Sequence, residues 1–176
     1  MTRGLAWCTL GMVLLAAPAA AQRRGTLEVG LLVRGTLFDP SLQVETALGV
    51  GGRAAVFLAP RWLLEADMSV AGVDGLAGFA EASYRPFHLR VTYLRSYAER
   101  GAIVLGLGLV ATGFGGDFKE SDAGVGGLFG FRVALPRSLV LRADGALDYV
   151  PSPANGAGDN WIAGVQVGVG VAFGKP

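Results

Sequence analysis

The residues able to do chemistry are one histidine and ten charges set inside alternating segments. His88 would need a nucleophile within about 2.6 to 3.2 Å to act as a general base. It is followed by Leu89-Arg90, with no serine close by on the same side of its segment. One histidine and one cysteine, Cys8 in the leading segment, do not make a zinc site. The glycine-rich runs 49–52 and 124–127 lie inside alternating segments and do not resemble a phosphate-cradling loop. No catalytic residue, metal or cofactor is therefore expected. The charges suggest a different chemistry. Glu28, Glu65, Asp67, Asp144 and Asp148 are matched by Arg34, Arg53, Arg90, Arg132 and Arg142, five of each sign. Balanced charges in mid-segment are suited to ion pairing.

The elements that carry them repeat every two residues. In 160–173 (NWIAGVQVGVGVAF), Trp161, Ala163, Val165, Val167, Val169, Val171 and Phe173 form one apolar face, with Gln166 and glycines on the other. Successive strand side chains point to opposite faces, so this is a strand. Eight such segments are predicted: 26–36, 47–57, 62–71, 87–96, 102–112, 123–134, 139–149 and 160–173. Short connections at 58–61, 97–101 and 135–138 alternate with longer ones at 37–46, 72–86, 113–122 and 150–159. The fourth strand is ambiguous. It starts after Pro86, or it starts near Gly78 and carries a bulge at Pro86; a short surface helix is a third reading of this stretch.

Composition bounds the setting. Residues 1–21 read as a cleavable signal peptide, with Arg3, an apolar stretch from Leu5 to Ala17, and Ala19-Ala20-Ala21 before Gln22. Residues 22–176 form one domain without cysteine, holding 14 basic and 14 acidic residues. That balance gives no basic surface for nucleic acid. Beyond the leading segment, the longest uncharged run, 101–116, is 16 residues and broken by glycine. It falls short of the roughly 18 to 20 apolar residues of a spanning helix.

Mean hydropathy is nevertheless positive, at +0.46, so apolar surface must be buried by strands. Strands of about 10 residues tilted near 40° cover roughly 25 Å, the height of an outer-membrane apolar band. Phe57, Trp62, Tyr93 and Phe173 fall toward the short-turn ends, Tyr149 and Trp161 toward the long-loop ends, as aromatic residues of a membrane interface do. The expected architecture is all-β, an eight-stranded antiparallel up-and-down transmembrane β-barrel with its apolar face outward. Eight strands leave an interior just wide enough for side chains. The ten charges then form a lumen network, with Arg53 near Glu65 and Asp67, and Arg142 near Asp144. His88 becomes a lumen or loop-edge residue.

With these features the chain resembles the small eight-stranded outer-membrane β-barrels of the OmpA/OmpX type, over residues 25–173. The most specific element is a C-terminal pattern, polar-x-Gly-x-x-hydrophobic-x-aromatic, matched by Gln166, Gly168, Val171 and Phe173. Many members end on the aromatic; here Gly174-Lys175-Pro176 follows it. The resemblance implies the cell outer membrane, contact with its lipid, and recognition of the last strand by the barrel assembly machinery. Some such barrels deacylate lipid A with a histidine, a serine and a carboxylate, a set not seen here. The implied role is structural or surface-interacting, through an end made acidic by Asp39, Asp74, Glu81, Asp117, Glu120, Asp122 and Asp159. A narrow pore, and a soluble secreted β-barrel or sandwich that binds a ligand, are the other readings of the same alternation.

Overall fold

A computed structural model of the protein describes residues 24–40, 46–73, 82–116, 120–151 and 160–174. The segment read as a signal peptide, the loop acids Asp74, Glu81, Asp117 and Asp159, and Lys175 lie outside the described residues. Eight strands follow one another: β1 (Leu27–Leu37), β2 (Ala47–Ala59), β3 (Trp62–Val73), β4 (Ala82–Ser96), β5 (Gly101–Gly116), β6 (Glu120–Ala134), β7 (Leu139–Val150) and β8 (Asn160–Phe173). Each pairs antiparallel with its neighbour in sequence, and β1 closes on β8 from Leu27↔Phe173 to Leu37↔Ala163. The sheet has no free edge, which removes the hazard of unpaired strand backbone.

The wall is apolar outside and carries its charges inside. Leu31, Leu48, Leu107, Met68 and Val165 stand on the outer face, with Leu31 72% exposed. The shortest strand has 11 residues, about 28 Å at 40° tilt. That is enough to cross an outer-membrane apolar layer.

Strand ends differ from the sequence expectation where a strand overran a presumed loop. β5 and β6 extend beyond residues 112 and 123, so residues 117–119 alone separate them. β4 begins at Ala82 and passes through Pro86 with neither a start there nor a bulge. Both flanking registers keep the same offset, Met68↔Phe87 and Ala71↔Tyr84. Pairing with β3 is interrupted beside Pro86, whereas Pro86↔Thr112 continues the ladder with β5. A missing N–H directed at β3 explains that asymmetry. The apparent change of parity arises because Tyr84 is a lumen residue and Phe87 an outer one, so apolar side chains change face while the strand does not.

Phe57 requires the main correction. It was expected at the membrane interface, but it is 1% exposed and points inward. It shares the parity of Arg53 and Ala55, so an aromatic near a strand end on the lumen side packs instead of facing lipid. There it joins Ala55, Leu63, Leu94, Ala102, Val104 and Leu128 in an apolar cluster near the short-turn end. The β2 register shifts just after it, between Phe57 and Ala59, before the two-residue Pro60-Arg61 turn. A second apolar cluster (Ala47, Ala71, Val73, Tyr84, Val150 and Ile162) fills the long-loop end.

Phe57→Ala should cost about 3 to 5 kcal/mol by leaving a cavity, whereas Leu58→Ala, one residue on and facing outward, should cost well under half of that. Urea unfolding from lipid vesicles checks this; equal costs would place Phe57 on the outer face after all.

Candidate functional site: a charged lumen

Alternation places one side chain in two inside the barrel, and at eight strands those side chains meet across it. All ten charges of the expected lumen set are buried, together with His88. Their partners lie mostly on distant strands. Arg142 of β7 reaches Glu65 of β3, four strands away, through both terminal nitrogens; the second contact is 3.2 Å. Its Nε donates to Asp144 Oδ1 at 2.9 Å. Arg132 of β6 donates to Glu28 of β1 at 2.9 Å through Nη2 and 3.2 Å through Nε. Arg34 of β1 donates to Asp148 Oδ2 of β7 at 2.9 Å.

Arg53 divides its charge. It lies 3.2 Å from Asp144 and 4.0 Å from Glu65. Asp67 is opposite Arg53 in the β2–β3 register, but its carboxylate turns to His88 and Arg90 instead. Gln166 Nε2 donates to Asp144 Oδ2 at 3.2 Å. The pairing expected from hairpin proximity is thus part of a network that crosses the whole lumen.

His88 is the residue whose role the sequence understated. Its Nδ1 lies 2.9 Å from Asp67 Oδ1 and its Nε2 3.0 Å from Asp148 Oδ2. Each ring nitrogen faces an acceptor, so each contact needs its own proton. Arg34 Nη1 lies 3.3 Å and 3.4 Å from the two ring nitrogens. His88 therefore links the Arg90–Asp67 pair to the Arg34–Asp148 pair. The signal for this was its lumen parity beside Arg90 and its register partner Asp67, but the loop between β3 and β4 hides that register from the sequence. Both ring nitrogens are thus taken up by carboxylates.

Glycine on β6 makes room for these acids. A Cβ at Gly126 would overlap the Asp148 carboxylate, and one at Gly130 would overlap that of Asp144. The lumen void bounded by Glu28, Gly30, Arg53, Val140 and Arg142 has a volume of about 10 Å³, room for roughly one water. Space in this part of the lumen is taken by side chains.

Outside the lumen, Trp62 and Tyr93 pack as tilted rings with centroids 4.9 Å apart near the short-turn end, and Tyr149 and Trp161 likewise at 4.7 Å near the other. Phe173 is exposed at the end of β8 and pairs with Leu27. Of the C-terminal pattern, Gln166 faces the lumen, Val171 is half-buried, and Gly168 lies close to the Leu31 carbonyl, where a Cβ would come within 2.7 Å.

A closed eight-stranded wall with lipid-like polarity outside and paired charges inside defines the architecture of a transmembrane barrel. The fold is that of the small eight-stranded outer-membrane β-barrels. The outer membrane protein OprG from Pseudomonas aeruginosa superposes with a TM-score of 0.63 at 14% identity, over 88% of this chain and 99% of that one. Neisserial surface protein A matches with a TM-score of 0.64 at 16% identity, over 84% and 96%. The N-terminal β-barrel domain of Pseudomonas aeruginosa OprF matches with a TM-score of 0.59 at 15% identity, over 86% and 100%. No protein-family model and no curated protein sequence matches the chain.

Arg142→Met should cost about 3 to 5 kcal/mol, because it removes the nearest cation of both acids and leaves Glu65 with guanidinium nitrogens only at 3.9 and 4.0 Å and Asp144 with Arg53 at 3.2 Å. Arg24→Gln, on the exposed approach to β1, should change stability by no more than about 0.5 kcal/mol. Unfolding midpoints in vesicles measure both, and equal effects would remove the network from the account of stability.

Proposed function

We propose that the protein is an outer-membrane barrel with a plugged lumen and a structural or surface-interaction role, without enzymatic activity. The observation that carries this reading is the Arg142–Glu65 bridge across the full width of the barrel, with apolar clusters above and below the charges. Among the described residues, charged and apolar side chains fill the lumen in layers, which supports a plugged barrel. Planar-bilayer recordings of the refolded protein should show no steady conductance. Regular single-channel steps would favour the narrow-pore reading and sink this one.

Membrane insertion is supported by the outer face itself. Val167 is outward, flanked by Val33 and Ala143 in register. Val167→Arg should cost about 2 to 4 kcal/mol at the midplane, against about 0 to 1 for Leu37→Arg at the rim. Urea titration in vesicles reads this difference, and equal costs would argue for a water-facing wall.

The last strand carries the reading of assembly. Gln166, Gly168, Val171 and Phe173 act as the signal by which the assembly machinery engages β8, with outer-membrane lipid as the other partner. Phe173→Ala should lower the heat-modifiable band in cell envelopes several-fold while refolding normally into detergent. Unchanged envelope levels would remove the signal role from Phe173. Surface interaction would fall to the long-loop end, where the acids among the described residues are Asp39, Glu120 and Asp122.

A further inference from the structure

The outer face of β4 is bounded by arginine at both ends. Arg85, Phe87, Leu89, Val91, Tyr93 and Arg95 all point outward, and the ten-residue step between the arginines spans about 25 Å at 40° tilt. Arg95 therefore reaches headgroup depth at the short-turn end, which in outer-membrane barrels is the periplasmic end. The backbone brings a second arginine to the same end of the barrel. The Arg61 carbonyl accepts a hydrogen bond from the Leu94 N–H at 2.8 Å, which ties the β2–β3 turn to the chain just before Arg95. Both arginine side chains are exposed. Beside them, Trp62 and Tyr93 are partners in register and pack on the same outer face, ring centroids 4.9 Å apart and planes tilted by 53°.

We propose that Arg61 and Arg95 hold the phosphate of an anionic phospholipid in the periplasmic leaflet. Its acyl chains lie along Trp62, Tyr93 and the outward Leu64 and Val91. Guanidinium forks match phosphate oxygens bidentately, and an aromatic pair marks the boundary between headgroup and chain. A zwitterionic headgroup brings its own cation toward two arginines, so the patch selects a net negative lipid. Among the described residues the short-turn end carries Arg24, Arg61, Arg95, Arg100 and Arg137 on its turns and rim, against Glu99 alone. The surrounding field therefore has the same sign. Each basic residue close to an anionic surface is worth about a fivefold preference.

The inference rests on the membrane orientation proposed above, and native mass spectrometry separates the two. Protein released from nanodiscs of equal phosphatidylglycerol and phosphatidylethanolamine should retain phosphatidylglycerol at least about fivefold over the zwitterionic lipid. Arg61→Gln with Arg95→Gln should bring retention to parity while the heat-modifiable shift stays intact. Arg85→Gln, at the opposite rim, should leave the preference unchanged. An unselective parent protein, a double variant that keeps its preference, or an equal loss from Arg85→Gln would each overturn the assignment. Retention of anionic murein fragments in place of lipid would also overturn it, by assigning the patch to cell-wall polymer. Failure of any variant or parent to enter nanodiscs would instead count against the membrane barrel.

Discussion

The structure depends on having to pair every charge inside a lumen too narrow for bulk water. A lone ion in such a place carries a desolvation penalty of several kcal/mol. Most of the ten buried charges avoid it by reaching across the barrel, as Arg142 does to Glu65 and Arg132 to Glu28, while Arg90 meets Asp67 on the neighbouring strand. Long arginine side chains suit this task, since their planar forks make two directed contacts at a distance from the backbone. The acids opposite them are supported by small neighbours. Gly126 and Gly130 give Asp148 and Asp144 their space, so glycine content and charge pairing are two aspects of one packing problem.

The same narrowness explains the layering. Away from the charged middle, inward positions hold Phe57 and Leu63 at one end, Tyr84 and Ile162 at the other. Phe38, Tyr84 and Phe114 form an aromatic group at the long-loop end, with Phe38 and Tyr84 edge-to-face at 4.9 Å. Apolar layers on both sides exclude water from the ion pairs, which strengthens each contact and raises the cost of breaking one. Polarity therefore varies along the barrel axis as well as across the wall.

Period-two alternation made the strands, the outward face and the membership of the lumen set readable in the sequence. The reading failed where the lumen itself turns apolar. Phe57 and Tyr84 are inward residues with outward chemistry, so they misplace a strand boundary at Pro86 and an interface aromatic at the second turn. Partner choice was readable only locally. Arg142 and Asp144 are two residues apart on one strand, and Arg53 and Glu65 belong to one hairpin. The links of His88 to Asp148 and of Arg132 to Glu28 depend on strand stagger around the closed barrel. Nothing in a single strand's sequence encodes that stagger.

This dependence has a consequence for how the barrel selects one register. Backbone ladders between neighbours form equally well after a slip, but a one-residue slip turns every lumen side chain toward lipid. For β3 that would expose Glu65 and Asp67 to hydrocarbon; for β7 it would expose Arg142, Asp144 and Asp148. The penalty for the wrong register thus comes from the charges. The reward for the right one arrives late, because Arg34–Asp148 and Arg132–Glu28 join residues 114 and 104 positions apart. These contacts require β1 to stand near β6 and β7, which happens only when β1 has met β8. Hairpins supply the wall, and the ion pairs stabilise its closure in a single alignment.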